Sequence, residues 1–327
     1  MTVRALIVTL ALGVLVGPVL TAAQPRGSIP RVGVLSIGPQ QPPAPCLLHF
    51  QQGLRDLGYV EGQTILLEYR YGEFQPDRLA ALAAELVQLQ PDVIWTTSTQ
   101  TALALTPATS TIPIVVGSGG DLVAAGLVDS RARPGGNLTG LETRNIELLG
   151  KHVELLQAAV PQLSRVAILV DPAERMHDRV PSTMEAEARA LGVQLQRVEA
   201  GTPDAFEAAF AAMAAFRAEA LVIVANPFLA AHRQRLLALA LAQRLPTIAA
   251  ARSIAEAGSL LSYGVNQSEL CQRSALYVDK MLKGARPADL PVEGPMKFEF
   301  IINLKTARAL GLTIPPTLLF QANEVLQ

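Results

Sequence analysis

From Arg31 onward, short runs of β-branched and aliphatic residues alternate with longer stretches in which apolar residues recur every three or four positions. RVGVLSI (31–37), DVIWT (92–96), PIVVG (113–117), RVAILV (165–170) and ALVIVA (220–225) are apolar with Gly, Pro or polar borders, so they are predicted as strands buried on both faces. Weaker strand patterns lie at 64–71, 193–198 and 247–250. Helical periodicity fills the intervals at 47–57, 77–90, 147–159, 182–191, 203–216, 229–243 and 268–282, with Gly58 as a helix stop and Ser98 or Thr99 as a cap for a helix near 99. Such alternation predicts parallel sheets built from βαβ crossovers.

The rhythm breaks at RARPGG (131–136), and the extended run 137–142 after it reads as a hinge crossing. About four βα units stand on either side of the break. SLLSYGV (259–265) reads as a second crossing and KFEFII (297–302) as a third, with helix 268–282 returning to the first half. The expectation is an α/β fold of two doubly wound Rossmann-like lobes joined by a three-segment hinge. Residues 30–138 with 265–296 form the first lobe, and 139–264 with 297–327 form the second.

The length of 327 residues suits two cores, and 50% hydrophobic with 17% charged residues describes a globular chain. A net charge of −1 without any Lys/Arg run lacks the electrostatic footprint of a nucleic-acid binder. At the N-terminus, Arg4, the apolar stretch Ala5 to Leu20 and the small residues Thr21-Ala22-Ala23 form a secretory signal pattern, so 1–23 is expected to be a signal peptide. The apolar run is short for a membrane anchor and carries Gly17-Pro18, no Cys follows it to take a lipid, and the mature chain offers no second span. Cys46 and Cys271 match no metal or redox motif. Export permits a disulfide, but the general tendency of Cys to be buried favours two free thiols.

Enzyme signatures are missing: there is no G-x-S-x-G elbow, H-E-x-x-H, Walker A loop or G-x-G-x-x-G fingerprint. The four histidines share no ligand spacing, and His152 and His232 are expected on helix surfaces. No cofactor or metal is implied. Polar residues do gather where strands end and helices begin, which is where open α/β sheets bind ligands. Ser36, Thr97-Ser98-Thr99-Gln100 and Gly117-Ser118-Gly119-Gly120-Asp121 stand there in the first half. Asp171-Pro172, Asn226-Pro227 and Arg252-Ser253 stand there in the second. The hydroxyls and free N–H groups suit a carboxylate, and Asp121 suits an ammonium group on the same ligand, although Thr99 and Asp121 serve equally well as plain N-caps. Tyr263 has two readings, stacking on an aromatic ligand or packing between lobes. Trp95 is expected in the core.

GDLVAAGLVDSRARPGGNLTGLE (120–142), GKHVELLQAAVPQLSRVAIL (150–169) and LPVEGPMKFEFIINLKTARALGLTIPPTLL (290–319) together resemble the ABC-transporter substrate-binding proteins of periplasmic-binding-protein type I fold, a family with tryptophan and other aromatic amino-acid binders. The likeness spans nearly the whole mature chain, with Leu122 standing where Pro commonly follows the Asp. It implies a periplasmic, monomeric, non-enzymatic protein that holds a small solute between two lobes and delivers it to an ABC permease and its ATPase. The ligand contacts it implies are Ser36, Ser98, Thr99, Gly117, Ser118, Asp121, Asp171, Asn226 and Tyr263. A ligand sensor for a membrane receptor is the alternative, and an exported enzyme using the cleft is a more distant one.

Overall fold

A computed structural model describes residues 29–174, 180–295 and 297–327, so the expected signal peptide at 1–23 lies outside the described residues. The first lobe is built from β1 (Arg31–Ser36), α1 (Pro45–Asp56), β2 (Leu66–Tyr71), α2 (Leu79–Gln88), β3 (Val93–Thr96), α3 (Thr99–Leu105), β4 (Ile114–Gly119) and β5 (Leu138–Glu142). Its sheet is parallel in the order β2-β1-β3-β4-β5. Every residue of β3 and β4 is buried, as a central strand covered by helices on both faces requires, whereas the edge strand β2 is half-buried throughout.

The second lobe opens with α4 (Leu149–Ala159), β6 (Arg165–Val170), α5 (Val180–Ala190), β7 (Gln194–Glu199), α6 (Phe206–Phe216) and β8 (Ala220–Ile223). It continues with α7 (Pro227–Ala231), α8 (Arg233–Ala242), β9 (Thr247–Ala249), α9 (Arg252–Glu256) and β10 (Leu261–Val265). The order β7-β6-β8-β9-β10 repeats the topology of the first lobe. The chain then sends α10 (Gln267–Leu282) back to the first lobe and returns as β11 (Phe298–Asn303), α11 (Leu304–Leu310), α12 (Pro316–Gln321) and β12 (Glu324–Leu326). Strand β11 pairs antiparallel with β10 and β12 parallel with β11, which widens the second sheet to seven strands.

The extended run at 137–142, expected to be the hinge crossing, is instead the edge strand of the first sheet. All five residues of β5 are buried, and a run so covered needs a sheet partner, which β4 supplies. Likewise 261–265 and 298–303 are strands of the second sheet. The chain passes between lobes in the short joints beside these strands: at Thr143–Arg144, at Asn266, and between Glu293 and Phe298.

Helix α10 packs on α1 so closely that a Cβ on Gly53 would lie 2.2 Å from the Gln272 carbonyl oxygen. Trp95, expected in the core, is fully buried there. It stacks on Phe50 with centroids 4.1 Å apart and donates its indole N–H to Ser274 Oγ at 2.8 Å. Cys46 and Cys271 are not free thiols. Helices α1 and α10 bring their Cα atoms to 5.2 Å and a disulfide joins them across 225 residues of chain. Cysteine burial statistics carry no information about a helix pairing made only in the tertiary fold.

Candidate ligand-binding cleft

In the strand order shared by both sheets, the direction of winding reverses between β1 and β3 and, equivalently, between β6 and β8. Loops there diverge to opposite faces and leave a crevice at the carboxyl ends of the strands. Ser36 and Thr97-Ser98-Thr99 stand at that point in the first lobe, Asp171 and Asn226 in the second. Loops of the two crevices touch, since Gln100 on the first turn of α3 donates to the Ala173 carbonyl at 3.4 Å.

Each predicted residue has a local task. Ser36 Oγ accepts from Gly38 N at 3.2 Å and fixes the turn out of β1. Ser98 caps α3 in a reciprocal box with Thr101, and Thr99 Oγ1 accepts from Gly120 N at 2.8 Å, tying the β3 and β4 loops together. Asn226 Oδ1 caps α7 through Leu229 N at 2.8 Å while its amide donates to Asp171 Oδ2 at 2.6 Å, and Asp171 Oδ1 accepts from Ala173 N at 2.9 Å. Thr97 is 7% exposed, and its buried hydroxyl has no hydrogen-bond partner among the described residues.

Gly117 is glycine for a reason inside the lobe, since a Cβ would sit 2.6 Å from the Trp95 ring. Ser118 Oγ accepts from Gln267 at 2.9 Å, joining the β4 loop to the start of α10. Asp121 caps its turn through Ala124 N at 3.0 Å and lies 3.3 Å from Arg131. Arg131 also pairs with Glu142, whose side chain is 0% exposed, and Glu142 in turn accepts from Leu122 N at 3.3 Å. The 120–142 motif is therefore a structural knot around a buried ion pair. A proline at 122 would lack the donor that Leu122 supplies.

Tyr263 is half-buried on β10 and packs within its own lobe, near-parallel to Phe298 at 5.9 Å and edge-on to Phe300 and His152 at 6.2 and 6.3 Å. His152, expected on a helix surface, is fully buried on α4, because that face of the helix lies against β10. Its Nε2–H donates to the Tyr263 carbonyl at 2.6 Å, so Nδ1 is left as an acceptor without a partner among the described residues. Burial pushes the ring down to about 4, only partly opposed by the bond to Tyr263. His232 is likewise not on a helix surface but half-buried against Phe206 and Phe228, and burial first, then Arg235, lowers it.

The His152 shift has a measurable consequence. The unfolded imidazole gains its proton near pH 6.5 and the folded one only near pH 4, so stability is complete above 6.5 and is lost as pH falls through that window. Between pH 7 and 4.5 the loss is expected to be about 2–3 kcal/mol. Urea unfolding of His152→Gln should lack this increment. Equal acid losses in both proteins would contradict the assignment.

Sequence reading missed Phe74 and Phe228. Both are aromatic residues placed three and five positions beyond a strand end, Phe74 after β2 and Phe228 after β8, and the structure brings their ring centroids to 6.2 Å. That placement was the available signal.

Residues 47–326 match the model of the family described as ABC transporter substrate binding protein. The chain belongs to that family. This substrate-binding protein has the type I periplasmic binding fold of its relatives. It is similar to a conserved domain protein from Vibrio cholerae, with 28% identity and a TM-score of 0.83 over 91% of this chain and 100% of the other. An ABC domain in complex with L-Trp from Streptococcus pneumonia gives 25% identity and a TM-score of 0.84 over the same shares. A tyrosine-binding protein of Clostridioides difficile is 24% identical over 263 residues, 80% of this chain and 75% of that one.

Proposed function

We propose that this substrate-binding protein captures an amino acid or a related aromatic or organic acid between its lobes and delivers it to the permease and ATPase of an importer. Apposition of the two switch-point crevices through Gln100 and Ala173 carries the reading. In this reading the Thr97 hydroxyl and the Ser98-Thr99 turn stand opposite the Asp171–Asn226 pair. Donors on one wall suit a carboxylate and an acidic group on the other suits an ammonium, the two poles of a free amino acid. The similarity to a protein solved with L-Trp and to a tyrosine-binding protein supports an aromatic side chain.

The lobes turn about the joints at Thr143–Arg144 and Asn266 and about the return from Glu293 to β11, and a ligand touching both stabilises the closed arrangement. The protein acts as a monomer in the periplasm after loss of residues 1–23. A disulfide between α1 and α10 agrees with an oxidising compartment. Titration calorimetry with L-Trp, L-Tyr, benzoate and a neutral hexose is the test. One-to-one binding of an aromatic acid is expected, with stabilisation of about 3–4 kcal/mol at a several-hundredfold excess over Kd. Binding of the hexose but none of the acids would overturn it.

A further inference from the structure

Phe74 lies just past the end of β2, and its ring leaves the lobe that carries it. Residues Glu73 and Phe74 both adopt left-handed backbone, with φ of 52° and 55°, a conformation side-chain-bearing residues rarely take in succession. The turn is over-determined by its surroundings. Phe74 N donates to the Ile37 carbonyl at 2.8 Å, Gln75 N to Gly72 at 2.8 Å, and Gln40 N to Glu73 Oε1 at 3.2 Å. Gly72 is confined as well, because a Cβ there would meet Leu79 at 2.8 Å and the Ile37 carbonyl at 3.2 Å. The first lobe thus presents the ring in a fixed pose.

What receives it belongs to the second lobe. Phe74 meets Phe228 edge-on at 6.2 Å and His232 at 6.4 Å, and both rest on Phe206 at 5.8 and 5.7 Å. Phe206 is fully buried in the core under α7. Phe74 packs against the apolar clusters of both lobes. Its receiving helix α7 is the one capped by Asn226, so seating the ring also seats a cleft residue.

We infer that Phe74 is a positioning residue, a prebuilt apolar latch that biases the lobes toward closure and so sets ligand affinity without contacting the ligand. The inference rests on the proposed closure around a cleft ligand. Apolar area hidden only in the closed form shifts the open-to-closed equilibrium, and apparent affinity follows the closed fraction until that form dominates.

Phe74→Ala, with its fold checked by melting temperature and circular dichroism, tests this by two readouts. Ligand-free small-angle scattering should show a larger radius of gyration than the parent, and Kd for the aromatic amino acid should rise about tenfold through faster dissociation. Phe74→Leu, which keeps most of the apolar volume, should lie between the two. Superimposable ligand-free scattering profiles would overturn the latch, as would an unchanged Kd. Should the parent bind none of the acids tested, the proposed ligand falls, while the ligand-free scattering comparison still decides the latch.

Discussion

Replacing both Cys46 and Cys271 by alanine is expected to destabilise the protein by about 4–5 kcal/mol. A cross-link closing a loop of 225 residues removes an unusually large share of the entropy of the unfolded chain, and loop-closure arithmetic for that length gives about 5 kcal/mol. Native contacts add to the effect. Helix α10 reaches the first lobe only after a joint at Asn266, and the disulfide fixes its first turns against α1 near the close approach at Gly53. Urea midpoints with and without reductant should therefore differ widely in the parent and not at all in the double variant. Identical midpoints in the parent would show that the covalent link contributes nothing beyond the helix packing.

Replacing Arg131 by methionine is expected to cost about 3 kcal/mol. Glu142 is 0% exposed, and without Arg131 its carboxylate keeps the Leu122 N–H and the more distant Arg144 charge. Removing one member of a buried pair typically costs about 3–5 kcal/mol, and the 39% exposure of the Arg131 side chain favours the low end because water can reach the vacated side. Adding Glu142→Gln to Arg131→Met should restore most of the loss, since a neutral amide there no longer needs a cation. Thermal melts of the parent, single and double variants read this. A double variant as unstable as the single would mean that packing of the guanidinium, not charge, holds the motif.

Much of the fold is legible in the sequence for physical reasons that can be named. Strands covered on both faces must be continuously apolar, which is why Val93–Thr96, Ile114–Gly119 and Arg165–Val170 stand out, and βα alternation then dictates parallel pairing. Strand ends are where loops of such sheets diverge, so the places of Ser36, Ser98, Asp171 and Asn226 beyond strand ends are legible from local pattern alone. The joints between lobes are harder, because an extended run reads the same whether it crosses a hinge or lies at a sheet edge; only pairing with β4 assigns 138–142 to the first sheet. His152 looks like an ordinary helical histidine until β10 covers it. The tasks of Gly117 and Asp121 depend on Trp95 and Arg131, partners distant enough that spacing says nothing of them. Phe74 carries no signal beyond its place after a strand, since its partner belongs to the other lobe.

The most direct test of the account is calorimetric titration of an aromatic amino acid into the Asp171→Ala/Asn226→Ala double variant beside the parent. The two residues meet at 2.6 Å at the second lobe's switch point. If the cleft is the binding site, the parent binds one molecule and the variant, folded by its melting curve, loses at least a hundredfold in affinity, about 2.7 kcal/mol. A folded variant that binds as tightly as the parent would place the ligand elsewhere and contradict the account.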